Sequence, residues 1–469
     1  MNEESLADDD PFVLPTSFGQ DRLWLLDQLG AGSAYHLCGA IRLDGALDGD
    51  ALGRAVACLV ERHEILRTTF EFGGDGLVQL VHPRAEVSTV RLDPPEQTLD
   101  SARRTLEEYF GAPFDLATGP LLRTALVRFG ETAWLFGVSM HHIVSDGWSI
   151  GVLHAELAAF YRAETSGVPA LLPELAIQYG DFSAWQRKTV EAAGPELTEY
   201  WRERMAGGIP VEPVVPASGT PGTGADVSLT VPAAVLEAVG RLAKQESATP
   251  FMVLLAAYTA VLARWTERDD VIVGTPVAGR GRPELQNLIG FFVNTLPLRT
   301  SVDGGGSFRA LLGAVRETCL GAFEHQDLPF ERIVEVSGAG RVSRRTPLVG
   351  ALLALQNTPS PQWDVPQLLA TSVDLGKLQA QFSLNLYLSE AVDGGLTGRL
   401  SYDGQWDVAD VRRLAEGWLA LLTDALADPA KPVGRLSLGS TADSAERAEP
   451  PVADGHGARL DQPVSPVPR

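Results

Sequence analysis

Apolar residues at a spacing of three or four predict two helices in the first half of the chain. The first helix runs from Asp50, a suitable N-cap, to Val60, with a buried stripe made of Leu52, Val56 and Leu59. The second follows Gly147, and its stripe comprises Ile150, Leu153, Leu157 and Tyr161. Between them, residues 70–81 (FEFGGDGLVQLV) predict a β-hairpin, and the apolar run 133–140 predicts a buried strand.

The second half repeats this alternation of strands and helices. Residues 226–231 (DVSLTV) alternate like a half-buried strand, Pro232 opens a helix, and Thr249 with Pro250 starts a mostly apolar helix over 251–265. Residues 270–279 (DVIVGTPVAG) predict another strand. We therefore expect an α/β (α+β) protein with two lobes of similar build. The predicted segments are a flexible start (1–12), a first lobe (13–180), a second lobe (181–439) that includes a Pro/Gly-rich loop (208–224), and a disordered tail (440–469).

Composition narrows the classes of function. The chain has 469 residues, of which 45% are hydrophobic and 21% charged, as in a globular protein with a full core. The acidic N-terminal residues are not expected to be a secretory signal, and there is no run of about 18 apolar residues, so a cytoplasmic location without membrane association is expected. The net charge of −22 disfavours nucleic acid as a partner. Cys38, Cys58 and Cys319 are too few and too scattered for a disulfide framework or a zinc site.

The candidate chemistry is concentrated in residues 140–149, MHHIVSDGWS. Neighbouring side chains of a strand point to opposite faces, so His141 and His142 are not expected to face one substrate together. Histidine suits proton transfer near neutral pH. Asp146 follows across a turn, where it can orient a ring or pair with an arginine. Gly147 lets the backbone approach a ligand, and its N–H, close to a helix start, can donate to an oxyanion.

Two simpler interpretations of this segment compete with catalysis. The histidines can be core residues at a strand end, with Asp-Gly as an ordinary turn. HHxxxD also supplies three possible metal ligands, but adjacent strand histidines diverge and no other His/Cys cluster is near in sequence, so no metal is expected. His141, His142 and Gly147 remain the candidate catalytic residues.

The segment resembles the HHxxxDG signature of condensation domains of non-ribosomal peptide synthetases, a signature shared by a wider acyltransferase superfamily. Further segments resemble the other motifs of this family, in the same order. They are residues 16–29 (TSFGQDRLWLLDQL), 62–70 (RHEILRTTF), 179–186 (YGDFSAWQ), 274–299 (GTPVAGRGRPELQNLIGFFVNTLPLR), 325–335 (HQDLPFERIVE) and 343–349 (SRRTPLV). The resemblance extends over about residues 13–438.

The resemblance implies two chloramphenicol-acetyltransferase-like lobes in a V, with an active-site tunnel between them. An acyl or peptidyl carrier protein would insert its phosphopantetheine arm, so this chain needs no cofactor of its own. The acceptor would be a small-molecule or carrier-bound nucleophile. His142 would reach the reaction centre, and Asp146 would be structural, paired with an arginine for which Arg280 is the candidate. The family often has Asn before that arginine, whereas this chain has Gly279.

The motifs distinguish this chain from related activities. Epimerisation domains usually resemble a VSWR type after the aspartate and GWFT in a later motif, whereas this chain has DGWS and GFFVNT. Cyclising relatives replace the histidines with aspartates. A free-standing acyltransferase of the wider superfamily and an inactive module that recruits carrier or tailoring proteins remain alternatives. No adenylation or carrier segment is evident, so a free-standing condensation enzyme that forms amides or esters is expected.

Overall fold

The computed structural model describes residues 10–30, 32–74, 76–192, 194–212, 225–338, 348–356, 363, 365–375 and 382–439. Most of the predicted flexible start, most of the predicted 208–224 loop and the whole predicted tail from residue 440 lie outside these described residues. The same is true of Asp75 in the hairpin turn and of most of the motif at 343–349.

The described residues form a mixed α/β fold, which confirms the predicted class. The strands are β1 (Phe12–Pro15), β2 (His36–Gly45), β3 (Thr68–Gly73), β4 (Gly76–Val81), β5 (Thr89–Leu92), β6 (Leu122–Arg128), β7 (Ala133–His141), β8 (Ala225–Val231), β9 (Asp270–Val277), β10 (Asn294–Ser301), β11 (Ala351–Gln356), β12 (Leu368–Val373), β13 (Leu384–Glu390) and β14 (Leu396–Tyr402). The helices are α1 (Phe18–Gln28), α2 (Gly49–Arg62), α3 (Leu99–Phe110), α4 (Gly147–Ser166), α5 (Tyr179–Ala192), α6 (Gly194–Met205), α7 (Ala233–Gln245), α8 (Pro250–Thr266), α9 (Phe308–Glu324), α10 (Phe330–Ser337) and α11 (Val408–Ala427).

Most predicted elements lie where the sequence patterns indicate, but the predicted cap of α2 is wrong. The hairpin is β3–β4, the buried strand is β7, and the apolar helix is α8. The N-cap of α2 is Asp48, whose Oδ1 accepts the backbone N–H of Asp50 and of Ala51, both at 3.0 Å. Asp50 lies in the first turn instead, where its carboxylate is close to the positive end of the helix dipole.

A five-stranded sheet, in the order β12-β2-β7-β6-β5, carries the first half of the chain. The even-numbered residues of β7, such as Met140, pack with α2 and α4, whereas Leu135 packs with α3 on the other face. Gly137 lets α3 approach closely, because a Cβ there would lie 2.7 Å from the ring of Phe110. The alternation of the strand therefore assigns odd-numbered residues, His141 included, to the α3 side.

A six-stranded sheet, in the order β10-β9-β11-β13-β14-β8, carries the second half. The sheet is mixed: β11 runs parallel to β9 and β13, and the other strand pairs are antiparallel. Helix α8 packs against this sheet and against α7, α9 and α11, and it is buried along most of its length. No single helix among the described residues is long and apolar enough to span a membrane; α7 and α8 pass that test only as a pair, across a bend of 104°.

Two segments from the second half of the chain cross to the first-half sheet. Strand β12 pairs antiparallel with β2, and Trp363 packs beside Phe136, Tyr161 and His154 in the first-half core. The second segment, residues 279–292, contributes buried side chains to the same core. Residues 279–292 therefore place part of the 274–299 motif in contact with the first turn of α4, where Trp148 and Ser149 donate hydrogen bonds to it.

Candidate active site

The two adjacent histidines have different surroundings because β7 ends between them. His141 is the last residue of the strand, and its ring centroid lies 6.1 Å from that of His36 and 6.2 Å from that of Phe114. His142 begins a short 3₁₀ turn, and its ring meets Phe291 edge-on at 5.6 Å. Only His142 is therefore brought against the segment that crosses from the second half.

A hydrogen bond fixes the protonation of the His142 ring. Its Nδ1 lies 3.0 Å from the carbonyl oxygen of Ser145, within the same turn. A carbonyl can only accept, so Nδ1 carries the proton and donates it. The neutral ring then has the lone pair on Nε2, which is the atom able to accept a proton.

Burial keeps His142 neutral at physiological pH. The side chain is 9% exposed, and the loss of water around it lowers the pKa of His142 to about 4. The hydrogen bond to Ser145 and the negative charge of Asp146 act in the opposite direction but do not outweigh burial. The ring is thus in its proton-accepting form at pH 7.

The Asp146 carboxylate is fully occupied by protein donors. Its Oδ1 accepts the backbone N–H and the hydroxyl of Ser149, both at 2.8 Å, and Nη2 of Arg280 at 3.0 Å. Its Oδ2 accepts the backbone N–H of Phe292 at 3.0 Å and Arg280 Nη2 at 3.2 Å. Asp146 is completely buried. The carboxylate therefore caps α4 and fastens it to residues 280–292, with no lone pair left for a substrate.

Arg280 completes this buried link. Besides Asp146, it donates from Nη1 to the carbonyl oxygens of Leu285 and Leu288 at 2.6 and 2.7 Å, and its guanidinium lies 4.0 Å from the Phe292 ring centroid. Gly279 before it has a φ of +64°, and a Cβ at this position would lie 2.1 Å from the carbonyl oxygen of Phe292. The glycine that replaces the frequent Asn of the family thus fits a left-handed conformation against the backbone.

Gly147 is the first residue of α4, directly after the Asp146 cap. The N–H groups of the first helical turn have no partner within the helix. Gly147 is exposed, and a Cβ built on it would meet no atom within 4 Å. Space for a ligand atom therefore exists beside its backbone.

Three hydrogen bonds hold consecutive backbone groups of Gly290, Phe291 and Phe292 against the first half of the chain. Ser149 Oγ accepts the N–H of Gly290 at 3.1 Å, and the hydroxyl of Tyr179 donates to the carbonyl of Phe291 at 2.7 Å. Asp146 accepts the third group, the N–H of Phe292. Sequence reasoning missed Ser149 and Tyr179 as site residues, although Ser149 follows Asp146 at the spacing of a helix cap and Tyr179 opens the YGDFSAWQ segment.

A cavity of about 370 Å³ adjoins this segment. It is lined by Ser17 and Gly19 near the start of α1, by Trp185 of α5, and by Phe291 and Arg282. His142 is not among its lining residues, but Phe291 contacts both the cavity and the His142 ring. Among the described residues, no group of three or more His, Cys, Asp or Glu side chains is arranged to hold a metal ion.

Known proteins resemble this chain over nearly all of its length. The family model described as Condensation domain matches residues 12–446. Tyrocidine synthase 2 of Brevibacillus parabrevis is 38% identical over 424 residues, which cover 88% of this chain and 12% of the synthase. Phosphinothricin tripeptide synthetase PhsC of Streptomyces viridochromogenes is 37% identical over 434 residues, which cover 90% of this chain and 40% of the synthetase. This chain thus spans less than half the length of these relatives.

Two solved structures share the fold at 25% sequence identity. The X-domain in its complex with OxyB from teicoplanin biosynthesis has a TM-score of 0.82, over 93% of this chain and 98% of that one. The SgcC5 protein from Streptomyces globisporus has a TM-score of 0.74, over 89% of this chain and 100% of that one. The fold and the sequence comparison therefore agree.

Proposed function

The chain belongs to the condensation-domain family, and from this we propose that it couples a carrier-protein-bound aminoacyl or acyl thioester to an amine or alcohol acceptor. The product is an amide or an ester of natural-product biosynthesis. The phosphopantetheine arm belongs to the acyl or peptidyl carrier protein, so the reaction needs no cofactor held by this chain. The observation that carries the proposal is the buried, neutral His142 ring whose Nδ1 proton is engaged by Ser145.

The reaction requires one proton transfer that His142 can perform. The acceptor nitrogen or oxygen attacks the thioester carbonyl carbon, and its proton passes to His142 Nε2. The C–S bond breaks as the tetrahedral intermediate collapses, and the same proton neutralises the leaving thiolate. The histidine returns to its neutral form, so atoms and charge balance without any other reactant.

The remaining site residues act through position and electrostatics. In this proposal the N–H of Gly147, at the positive end of α4, donates to the oxyanion of the intermediate. Asp146 and Arg280 fasten the two halves of the site and do not exchange protons with substrate. His141 lies on the α3 side of the sheet, so its part in the reaction is indirect.

The cavity beside Phe291 is suited to admit one of the two substrates. Its volume of about 370 Å³ lies within the range of roughly 300–1,000 Å³ that is usual for small-molecule sites. Phe291 contacts the His142 ring from this side. Phe291 is thus the residue that links the cavity to the His142 ring.

The direct experiment supplies the purified protein with aminoacyl- and acyl-loaded carrier proteins and a panel of amines and alcohols. Mass spectrometry is expected to detect an amide or ester that forms with the wild-type protein and not with His142→Ala. Product formation at the same rate with both proteins, when both are folded, would contradict the proposal.

A second candidate function is recruitment of another protein without catalysis. The likeness to the X-domain, whose structure was solved in complex with OxyB, favours this alternative. The buried Asp146–Arg280 ion pair and the His142 ring, which Ser145 orients, favour catalysis. If no carrier-bound thioester is consumed in the assay above, while the protein still binds a carrier protein or a tailoring enzyme in calorimetry, recruitment is the better description.

A further inference from the structure

His36 and His141 face each other across two neighbouring strands. They are directly opposite in the antiparallel β2–β7 register, so their side chains emerge on the same face of the sheet. Their ring centroids are 6.1 Å apart with an interplanar angle of 71°. Both side chains are buried, with 8% of His36 and 1% of His141 exposed.

The protonation of each ring follows from the hydrogen bond that its Nδ1 makes. The backbone N–H of Ile143 donates to Nδ1 of His141 at 3.1 Å, so that nitrogen is unprotonated and Nε2 carries the proton. His36 has the opposite arrangement, because its Nδ1 lies 3.3 Å from the carbonyl oxygen of Phe110 and must donate to it. One ring therefore presents a donor at Nε2 and the other an acceptor.

Neither Nε2 has a hydrogen-bond partner among the residues that the structure describes. A buried polar atom without a partner destabilises a fold by about 1–3 kcal/mol. Both rings are neutral, since burial lowers the pKa of His141 to about 3 and also lowers the pKa of His36, where the charge of Arg123 adds to the effect. The two atoms are thus complementary and uncharged, and they belong to rings whose centroids are 6.1 Å apart.

We propose that His36 is a positioning residue: its Nε2 accepts the Nε2 proton of His141 through one shared water molecule. Two hydrogen bonds in series through a water span up to about 6 Å between their outer atoms. Rings with centroids 6.1 Å apart can bring their Nε2 atoms within that span when both atoms face the same water. The link holds His141 in the protonation state that its contact with Ile143 requires. The inference rests on the proposed function of His142.

The link reaches His142 through the backbone of the 3₁₀ turn. His141 Nδ1 anchors the N–H of Ile143, and the hydroxyl of Ser145 donates to the carbonyl of His141 at 3.2 Å. The carbonyl of the same Ser145 accepts the His142 Nδ1 proton. If the His141 proton moved to Nδ1, it would meet the N–H of Ile143, and the turn that orients His142 would loosen.

Two substitutions at residue 36 separate this role from simple packing. In His36→Gln, the amide oxygen takes the place of Nε2 and can accept, while the donor to Phe110 is lost. In His36→Asn, the amide nitrogen takes the place of Nδ1 and keeps the donor to Phe110, while the acceptor is lost. The proposal predicts that the Gln variant is active and the Asn variant is impaired, whereas a role limited to the Phe110 contact predicts the reverse.

Turnover and nitrogen chemical shifts give independent readouts. His36→Asn is expected to lower kcat by about 10- to 100-fold, as when the outer partner of an oriented imidazole is lost, with little change in KM, and His36→Gln to restore kcat. In ¹⁵N-histidine-labelled wild-type protein, with 8 histidines to assign, His141 should be protonated at Nε2 and His36 at Nδ1.

Three outcomes would overturn the inference. They are a wild-type His141 protonated at Nδ1, a His36→Asn protein that retains the wild-type kcat, and a His36→Gln protein as slow as His36→Asn. The NMR assignment needs neither a variant nor a substrate. If the wild-type protein shows no turnover, the proposed function fails, while the chemical shifts still test the two protonation states that the His36–His141 link requires.

Discussion

Arg280 binds Asp146 across 134 residues of sequence, with Nη2 at 3.0 Å from Oδ1 and both side chains almost fully buried. The pair joins the first turn of α4 to a segment that comes from the other half of the chain. Since His142 and Asp146 belong to the same short loop, this pair helps to decide where the His142 ring lies relative to Phe291. The position of the His142 ring therefore depends on the Asp146–Arg280 ion pair.

Asp146→Ala is expected to lower the free energy of unfolding by about 3–5 kcal/mol, because Arg280 would remain buried without its counter-charge. Urea unfolding measures the change. The control is Asp270→Ala, which removes the pair with Arg299, where 39% of the Asp270 side chain is exposed; a loss of at most about 1 kcal/mol is expected there. Equal losses for the two variants would contradict the structural role of Asp146.

His142→Asn tests the proton-accepting nitrogen without removing the contact to the turn. The Asn side chain can still donate to the Ser145 carbonyl, but it has no basic nitrogen. Its kcat should fall by roughly 10²–10⁴-fold, close to the effect of His142→Ala, while the melting temperature changes little. His82→Asn replaces a histidine bonded to Thr69, and its rate should stay near that of the wild type. A His142→Asn protein with full activity would exclude His142 as the base.

The protonation of His142 should not change the activity between pH 7 and pH 5. The active form is the neutral ring, and burial lowers its pKa to about 4. Below that pH, kcat/KM should fall about tenfold per pH unit as the ring takes up a proton. Stopped assays in short acid exposures, with folding followed by circular dichroism, provide the measurement. A fall centred near pH 6.5 would show instead that the His142 ring is solvated.

Stability should decrease as the pH falls from about 6.5 to about 4. Burial lowers the pKa of His154 and of His142 to about 4 and that of His141 to about 3. Between these values and the ordinary pKa of histidine, about 6.5, the unfolded chain binds more protons, so acid favours unfolding. The stabilisation is complete above pH 6.5 and is lost towards the lower pKa.

The variant His154→Asn isolates one of these contributions. Trp363 donates from Nε1 to Nδ1 of His154 at 3.3 Å, and the Asn oxygen can accept the same hydrogen bond without titrating. The loss of stability between pH 6.5 and 4.5 should be smaller in this variant than in the wild-type protein. An unchanged pH dependence would mean that His154 has the same pKa in the folded and the unfolded chain.

Gly279→Ala should destabilise the protein, by about 1–3 kcal/mol if the backbone keeps its conformation. The new Cβ would have to occupy space 2.1 Å from the carbonyl of Phe292, at a φ of +64°. Gly281→Ala is the matched control, since a Cβ at that position meets no atom within 4 Å. Thermal melts of both variants compare them directly, and a Gly281→Ala effect as large as that of Gly279→Ala would refute this explanation.

Local patterns predict the elements well and their connections poorly. The stripe of α4, the hairpin and the apolar α8 follow from spacing alone, because each buries one side or is buried throughout. The predicted cap of α2 lies two residues late, since Asp48 and Asp50 are both suitable and only the backbone geometry selects Asp48. Strand β12 gives no signal as a partner of β2, because pairing between distant strands depends on contacts that a short window does not contain.

The same limit applies to the site. MHHIVSDGWS identifies the histidines, Asp146 and Gly147, since these types are grouped in ten residues. The environment of the His142 ring requires the structure, because Ser145 turns back onto it and Phe291 approaches from a remote segment. His36 is not a candidate from sequence, as nothing in its own stretch marks it; the β2–β7 register places it opposite His141.

The pairing of β12 with β2 has a consequence during protein synthesis. The first-half sheet acquires its outer strand only after the ribosome has passed Val373, and Trp363 reaches its core only shortly before. Until then, one edge of β2 is unpaired, and unpaired edges invite association between chains. A nascent or truncated chain that ends before β12 should therefore depend on chaperones, whereas the full chain closes the edge by itself.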